Sequence, residues 1–518
     1  FINDRTHTDS KVEYFASTNH AIALVGWDDA DKVWILRNSW GDKWGEEGYM
    51  RIGYTSAKVA TSVGYLHYFP WSGEDLHLTT TSNITAIPDY SGYQPTARGV
   101  YAWGGNSASL TNQASITAIA DVVTGNPYVH GMFLWAGGQS TVENQGVIEA
   151  QAHTADGEAT AYGICLQGNG IVNTGIVTAR AASDSEQRTT AYGARLFGFD
   201  STATFENRGI ITANAATGNG WAYGLLSSNV AGITNSGTMT ANARNLAIGI
   251  LSEGVAAQVD NRHTVTAAAD KGEANGIYLE TGSVQNRGTI EALVNQGSAY
   301  GIKAYSVDSI DNTGFIRATA PAGVACGILS QGETFIRNSG SIVARSDGGA
   351  ASGINMYGGT LLNTGTIAGR AESGGAIGIT MIAGNLINNG RIEGASYIIG
   401  RYSIVQGIGS FTGKMDFEGG VLSPGDPAIT AAGGVSTGNL IGALTINGPY
   451  RQGAEGSLAI EVASPARNDL LTIDSSASLG GTLQATWTGG YRPALNTHFG
   501  VFLAATGGVE GRFAKVLT

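Results

Sequence analysis

A phrase of nine residues recurs ten times between residues 142 and 394, from VENQGVIEA at 142–150 to LINNGRIEG at 386–394. Its asparagine falls at positions 144, 173, 207, 235, 261, 286, 312, 338, 363 and 388, and the last six intervals are 25 or 26 residues. A period of this size, with glycine-punctuated strands and no helical pattern between them, indicates a β-solenoid. We therefore predict a mainly β chain dominated by a parallel β-helix with coils of ~25 residues.

Two positions of the phrase carry an apolar residue in every copy and are predicted to face the interior. They lie two residues before the asparagine, at Val142, Ile171, Phe205, Ile233, Val259, Val284, Ile310, Ile336, Leu361 and Leu386, and four residues after it, at Ile148, Val177, Ile211, Met239, Val265, Ile290, Ile316, Ile342, Ile367 and Ile392. The asparagine is predicted at the bend between them, where stacked amides can hydrogen-bond from coil to coil. The glycine two residues later would permit a tight or left-handed backbone.

A second block upstream of each phrase, such as AYGICL, AYGARL and AIGILS, supplies a further strand, so each coil has at least two strands. Roughly a dozen coils spaced by about 4.8 Å would form a rod of about 50 to 60 Å. A rod that cleaves polysaccharides would need carboxylates on adjacent coils. The outward position five residues after the asparagine carries Glu149, Glu291 and Glu393, which are never on consecutive coils. We therefore predict a structural or binding rod.

Composition excludes several other classes. Glycine accounts for 77 of 518 residues but proline for only 10, without the period of collagen, and 14% charged residues is low for a disordered chain. A net charge of −12 makes nucleic acid a poor partner. No apolar run is long enough for a membrane-spanning helix. Cys165 and Cys326 lie inside ordinary copies of the second block, so we predict a structural role for both and no metal or cofactor site.

The first 54 residues lack the repeated phrase and have a different residue pattern. The runs AIALVGW at 21–27 and KVWILRN at 32–38 flank the turn-like DDAD at 28–31, which predicts a β-hairpin. If residue 25 pairs with residue 33, His20 faces Asn38 with Cβ atoms about 5 Å apart. An imidazole that holds a thiol proton needs an acceptor at its other ring nitrogen, and an amide oxygen supplies one without charge. Trp40 would shield that hydrogen bond from water.

These residues carry a resemblance to a known family. NHAIALVGW at 19–27 followed by WILRNSWGDKWGEEGYMRIGY at 34–54 resembles the C-terminal half of a papain-like cysteine peptidase. The resemblance implies an α+β peptidase domain in which His20 is the catalytic histidine, Asn38 orients it, and Trp40 and Trp44 support the pair. It implies hydrolysis of peptide or protein substrates by Cys, His and Asn. The family's nucleophilic cysteine and oxyanion glutamine would precede Phe1, so we expect this chain alone to be inactive.

The C-terminal part resembles the end of the passenger region of bacterial autotransporters. The matching residues are Ser423-Pro424-Gly425, Leu444 to Ile446, Tyr450, Asp469, and Leu479 to Leu483. The resemblance implies a protein attached to the bacterial outer membrane, or secreted, whose membrane barrel would lie beyond Thr518. A generic β cap that closes the solenoid is the alternative.

The predicted organisation has four parts: a peptidase segment at 1–71, a linker or N-terminal cap at 72–94, β-helix repeats at 95–404 and a passenger-type β segment at 405–518. The chain looks cut from a longer protein, since it starts at Phe1 without a leader. Two functions remain open. The first is a surface-exposed peptidase carried on a β-helical stalk. The second is a non-catalytic adhesin for host or cell-surface ligands, whose peptidase-like module is a degenerate cap.

Overall fold

The computed structural model describes residues 22–54, 76–88, 94–104, 107–136, 139–200, 202–429 and 435–518. These residues form β-strands in three sheets of 3, 38 and 2 strands, and none of them is helical. The predicted mainly β chain with a parallel β-helix is therefore confirmed.

The small N-terminal sheet consists of β1 Ala23–Asp28, β2 Val33–Arg37 and β3 Tyr49–Gly53. The early coils of the large sheet use short strands: β4 Leu76–Thr80, β5 Ile84–Ala86, β6 Thr96–Gly104, β7 Ala108–Asn112, β8 Ser115–Thr124, β9 Tyr128–Ala136, β10 Ser140–Asn144, β11 Val147–Asp156, β12 Ala159–Gln167, β13 Gly170–Asn173, β14 Ile176–Ser183, β15 Arg188–Phe197, β16 Thr204–Asn207, β17 Ile210–Ala215, β18 Asn219–Ser228, β19 Gly232–Asn235, β20 Thr238–Ala243, β21 Leu246–Glu253 and β22 Ala257–Asn261.

Later coils run more continuously: β23 Thr264–Asn286, β24 Thr289–Asn312, β25 Phe315–Thr319, β26 Val324–Asn338, β27 Ser341–Ser346, β28 Ala351–Asn363, β29 Thr366–Ala371, β30 Ala376–Asn388, β31 Arg391–Gly407 and β32 Ser410–Pro424. The remaining strands are β33 Asp426–Ile429, β34 Val435–Leu440, β35 Ala443–Asn447, β36 Tyr450–Ser464, β37 Arg467–Asn468, β38 Leu470–Ile473, β39 Ala477–Leu479, β40 Thr482–Trp487, β41 Leu503–Ala505, β42 Val509–Gly511 and β43 Lys515–Leu517. Of these, β33 and β34 form a separate antiparallel pair.

Each coil of the repeat region has three β-strand segments, one more than the predicted minimum, and in the early coils these are separate strands. Strands β10, β11 and β12 form one coil, and they pair in parallel with β13, β14 and β15 of the next. We call the face formed by β10 and β13, which ends at the asparagine, face A. The face formed by β11 and β14 is face B, and the face formed by β12 and β15 is face C. In β23 a single continuous strand supplies all three faces, because it pairs with β20, β21 and β22 in turn.

The parallel stack extends beyond the repeat region of the sequence. Strands β4 and β5, within the stretch 72–94, already pair in parallel with β7 and β8. Strand β31 runs without interruption across residues 404 and 405 and pairs with β32. At the C-terminal end, β40 still pairs in parallel with β43. Coil stacking therefore continues on both sides of the recurring phrase.

The two predicted apolar ladders lie in the core. Every residue of both sets is at most 2% exposed, and together they form the main hydrophobic cluster of the stack. The position five residues after the asparagine is partly or fully exposed, as predicted, except at Ala368, which is buried. Ala368 lies between Val343 and Glu393 of the adjacent coils, whose larger side chains flank its methyl group.

The predicted asparagine ladder is present and is longer than the sequence indicated. Each amide nitrogen donates to the amide oxygen of the next coil at 2.7–2.9 Å, through Asn112, Asn144, Asn173, Asn207, Asn235, Asn261, Asn286, Asn312, Asn338, Asn363 and Asn388. Thr80 donates to Asn112 at one end, and Asn388 donates to the carbonyl oxygen of Ser410 at the other. All eleven asparagines are buried.

The coil length is less uniform than predicted. Successive asparagines are 25 or 26 residues apart from Asn235 onwards, but 28 to 34 apart between Asn112 and Asn235. The register at the asparagine is nevertheless kept, since β10 pairs with β13 residue by residue up to Asn144 and Asn173. Additional residues therefore extend other parts of the coil and leave the ladder intact.

Glycine recurs at two positions of the coil because neighbouring atoms lie too close for a Cβ there. The glycine two residues after the asparagine does not adopt the left-handed backbone that we considered; at Gly288 a Cβ would lie 2.0 Å from the carbonyl oxygen of His263. The glycine of the AYG block faces inwards. At Gly276 a Cβ would lie 2.3 Å from a methyl group of Ile290. Face C thus leaves space for the branched side chain that projects from face B.

The interior ladder is testable by adding a charge. We expect Ile290→Asp to destabilise the rod by several kcal/mol, because the side chain is fully buried and a carboxylate there has no partner. Thr266→Asp, at a partly exposed position of the neighbouring coil, should cost well under about 1 kcal/mol. Denaturant midpoints followed by circular dichroism measure both. Equal shifts would contradict the assignment of inside and outside.

The asparagine ladder gives a second prediction. Asn286→Ala removes the hydrogen bonds that join Asn286 to Asn261 and Asn312, leaving two buried amides without these partners. We expect a loss of about 2 kcal/mol or more in unfolding free energy. Gln285→Ala, at the exposed neighbouring position, is the matched control and should change stability by at most about 0.5 kcal/mol. An Asn286→Ala protein as stable as its control would show that the ladder contributes nothing.

Candidate active site

The predicted N-terminal hairpin is present. Strands β1 and β2 are antiparallel and are joined by a turn at residues 29–32. The Asp28 carboxylate accepts hydrogen bonds from the backbone of Ala30 at 2.9 Å and of Asp31 at 3.2 Å, which holds the turn. The Tyr54 hydroxyl donates to Asp29 at 2.8 Å and ties the end of β3 to the same turn.

The predicted register of this hairpin is wrong. Val33 pairs with Asp28, not with residue 25, and Ala23 pairs with Arg37. A bulge between Leu24 and Gly26 adds a further offset. The difference has a local cause: Asp28 ends the strand and caps the turn with its own side chain, so the hairpin closes later than DDAD suggested. Direct pairing of residues 20 and 38 does not follow from the observed register.

Among residues 22–54, the described part of this segment, Asn38 is the most buried polar residue, with 8% of its surface exposed. Its backbone nitrogen donates to the carbonyl oxygen of Gly48 at 3.0 Å, immediately after β2. Its side-chain oxygen accepts from the backbone nitrogen of Ser39 at 2.8 Å. The first contact fixes the backbone of Asn38 at the edge of the three-stranded sheet, and the second fixes its side chain.

The two tryptophans of the motif pack against each other. Trp40 and Trp44 meet edge to face with ring centroids 5.1 Å apart, and Trp40 keeps 55% of its surface exposed. The glycines of the motif support the loop that holds them: Gly45 has φ of 61°, and a Cβ there would lie 2.4 Å from the Tyr49 carbonyl oxygen. The spacing N-S-W-G-x-x-W-G thus has a backbone reason as well as a chemical one.

His20 lies outside the described residues, so its contact with Asn38 and Trp40 stays a prediction. The structure places Asn38, Trp40 and Trp44 together in the loop that follows β2 and leads into β3. An amide, an adjacent indole and a turn of this kind provide an acceptor and an apolar cover for an imidazole.

Comparison with known proteins shows what this segment is similar to. Residues 6–66 match the family described as papain family cysteine protease. The segment is 36% identical over 70 residues to gamete and mating-type specific protein A of Dictyostelium discoideum, 14% of this chain and 15% of that protein. It is 41% identical over 59 residues to fruit bromelain of Ananas comosus, 10% and 17% of the two chains.

A third relative is the viral cathepsin of Cydia pomonella granulosis virus, 58% identical over 36 residues, which cover 7% of this chain and 11% of that protein. The chain therefore spans about a sixth or less of the curated relatives it matches. No solved structure matches the chain. The peptidase similarity is confined to the N-terminal segment and does not include the β-helix.

Neither cysteine of the chain is placed to act as a nucleophile. Cys165 and Cys326 are free thiols on face C, 7% and 3% exposed. Burial raises the pKa of each thiol to about 12, so both stay protonated at neutral pH. Their structural role is consistent with this burial. Within the described ranges, no group of three or more His, Cys, Asp or Glu residues could hold a metal ion, and no helix could span a membrane.

The structure brings together residues that sequence reasoning missed. Asp121, His153 and Asp184 lie on three successive coils, with Nδ1 of His153 at 2.7 Å from Asp121 and Nε2 at 3.2 Å from Asp184. Hydrogen bonds to the two carboxylates raise the pKa of His153. The sequence could have indicated this cluster, because the three residues are spaced by 32 and 31 positions, which match the coil length of this region.

Carboxylates on consecutive coils do exist on the rod, at a position other than the one five residues after the asparagine. Ser252 pairs with Leu279, so the next residues, Glu253 and Glu280, extend from consecutive coils of face C. Burial, and then the charge of Glu280, raises the pKa of Glu253. By contrast Glu291 and Glu393 pair with arginines, at 3.2 Å for Arg317 and 2.8 Å for Arg391.

The thiol environment leads to a prediction. Cys165 and Cys326 should react slowly with a thiol reagent in the native chain at pH 8, because each is buried and protonated, and rapidly after denaturation. Counting labelled thiols by mass spectrometry over time measures this. Rapid labelling of either cysteine in the native chain would reopen it as a candidate nucleophile.

Proposed function

We propose that this chain is part of a bacterial surface-exposed or secreted protein of the autotransporter type, in which a papain-like cysteine peptidase is carried on a β-helical stalk. The observation that carries the peptidase is the family match of residues 6–66, within which Asn38 and Trp40 lie two residues apart in the loop after β2. The parallel stack from Leu76 to Leu517 supports the stalk.

In this proposal His20 is the general base and Asn38 holds its ring through a hydrogen bond to the second nitrogen. Trp40, packed on Trp44, covers that bond. The nucleophilic thiolate is supplied by a segment outside this chain, since Cys165 and Cys326 are buried in the rod. Peptides or proteins are the substrates.

The C-terminal residues that resemble an autotransporter passenger have interior roles that suit the end of a stalk. Tyr450 is 2% exposed, and its hydroxyl donates to Gln452 at 3.0 Å. The fully buried Asp469 accepts hydrogen bonds from the backbone of Gly442 at 2.9 Å and of Glu461 at 2.8 Å. These contacts bind β35, β36 and β38 together. We place the stalk at the cell surface, with the peptidase at the distal end.

A second candidate is an adhesin with a peptidase-like cap. One observation favours it: the side-chain oxygen of Asn38 accepts a hydrogen bond from the backbone of Ser39, which competes with the role of orienting an imidazole. The residue at the upstream nucleophile position separates the two candidates. A cysteine there supports the peptidase, and a serine or glycine supports the adhesin.

The peptidase role is tested by turnover of a fluorogenic peptide. In the full-length protein we expect His20→Ala to abolish activity, because the thiol then has no base, and Asn38→Ala to reduce it less severely. His77→Ala is the matched control, since this histidine lies on the rod and contacts Ser109; its activity should be unchanged. The 518-residue chain alone should show no turnover.

Full activity in His20→Ala would exclude the proposed base. Turnover by the 518-residue chain that is lost in His20→Ala would exclude an external nucleophile.

A further inference from the structure

The first four strands of face C carry no acidic residue. Strands β6, β9, β12 and β15 contain Arg98, Arg188 and Arg195 but no Asp or Glu, in a chain with 41 acidic and 29 basic residues. Further along the same face, Glu253, Glu273 and Glu280 appear. The N-terminal part of face C is therefore locally cationic on an otherwise anionic protein.

Two arginines of this region lack the carboxylate partner that others have. Twelve of the thirteen arginines from Arg188 to Arg451 form an ion pair, and Arg195 is the exception. Among the described residues, neither Arg195 nor Arg98 has a carboxylate within 4.0 Å. Arg98 instead lies over the Tyr101 ring at 4.4 Å, and Arg195 over Phe197 at 4.4 Å.

Hydrogen-bonding groups in the same region are left without partners. Nε of Arg195 and Nδ1 of His130 are buried and make no hydrogen bond within the described part of the chain. His130 is 4% exposed and stacks on Tyr162 at 4.9 Å, whose hydroxyl accepts from Arg195 at 3.1 Å. Burial, and then the charges of Arg98 and Arg195, lower the pKa of His130 to about 3, so it is neutral at physiological pH.

Exposed aromatic rings flank the arginines. Tyr101 stacks on Phe133 with centroids 4.6 Å apart, and Trp103 stacks on Trp135 at 5.0 Å, both within 7° of parallel. Tyr101, Trp103 and Trp135 remain 42%, 56% and 39% exposed. Because each stack follows the rod axis and contains two rings, each ring covers one face of its neighbour, and the ring edges point outwards.

This arrangement selects one kind of ligand. Sugars pack on the faces of aromatic rings, and stacking covers one face of each ring here. Ring edges carry the positive part of the quadrupole and, like guanidinium groups, attract carboxylate and carbonyl oxygens. Tryptophan, tyrosine and arginine are also the residues that dominate protein recognition sites. The surface thus suits a polypeptide better than a polysaccharide.

We propose that the acid-free part of face C, centred on Arg98, Arg195, Trp103 and Trp135, binds polypeptide segments in which carboxylates alternate with apolar side chains. The carboxylates pair with Arg98 and Arg195, which are three coils apart, about 14 Å along the rod. The apolar side chains contact the exposed rings of Trp103 and Trp135, whose column runs beside the columns of the two arginines. If the proposed peptidase function holds, this surface recruits its substrates, since it occupies the coils that follow the peptidase segment in the chain.

Binding is tested with the 518-residue chain and a short fluorescein-labelled peptide of alternating glutamate and leucine. Fluorescence anisotropy gives the dissociation constant at low and high salt, and quenching of tryptophan fluorescence gives an independent readout. We expect binding that weakens with salt, and no binding of the same peptide with lysine in place of glutamate. The double variant Arg98→Gln/Arg195→Gln should weaken binding about tenfold or more.

Arg317→Gln is the matched control. This arginine also lies over a ring, Phe315 at 5.0 Å, but pairs with Glu291 on another face, so the variant should bind as the parent does. Trp103→Ser, at the exposed edge, should weaken the glutamate and leucine peptide while keeping the denaturant midpoint. This variant separates binding from folding if the arginine variants lose stability.

Three results would overturn the proposal: no binding of the glutamate and leucine peptide, equal binding by the double variant, or displacement of the peptide by polygalacturonate at equal carboxylate concentration. The last result would identify a general site for anionic polymers. Because the assay requires no nucleophile, its outcome is independent of whether the full-length protein is a peptidase.

Discussion

The rod depends on one repeated interaction, the hydrogen bond from each asparagine amide to that of the next coil. Eleven buried asparagines and a terminal threonine form a column in which every amide both donates and accepts. A buried amide is costly unless its donors and acceptors are satisfied, and here the next coil satisfies them. The coils between Asn112 and Asn235 differ in length by several residues, yet the asparagines stay in register. The column therefore fixes the phase of the stack, and variation is confined to the rest of each coil.

Because the asparagines hold successive coils in register, the other side chains of each coil also align with their counterparts in the next coil. The branched residues of face B lie opposite the inward-facing glycines of face C, as Ile290 does with Gly276. At the corner between these faces, alanines of successive coils form a second cluster that lets the backbones approach closely. Outward positions also form columns, which allows charges and rings to accumulate on one face. The His153 cluster and the aromatic ladder of face C both arise from residues that are one coil apart.

In the proposed function, chemistry and support lie in separate parts of the chain. The segment similar to papain family cysteine proteases is N-terminal, and in it Asn38 is fixed by backbone contacts and Trp40 contacts Trp44. The rod has no reactive thiol, because its two cysteines are buried among the outer side chains of face C. What the rod offers is surface: twelve of the thirteen arginines from Arg188 to Arg451 are neutralised by acids, whereas Arg98 and Arg195 lie over aromatic rings. If the proposed function holds, a stalk with one such region would hold a partner as well as provide distance.

The sequence by itself determined the solenoid, its two inner ladders and the asparagine column, because a side-chain pattern repeated at a fixed period leaves few ways to bury the same residues in every coil. It also located Asn38, Trp40 and Trp44 through a motif with dense local constraints. Tertiary structure decided the rest. The hairpin register depended on the cap that Asp28 makes and on a bulge, which a turn composition does not reveal. The first position of the hydrogen-bonded ladder is occupied by Thr80 and not by an asparagine. The unpaired state of Arg195 and the contact of His153 with two aspartates depend on which outward residues become neighbours across coils of unequal length, and only the stacked fold sets those neighbours.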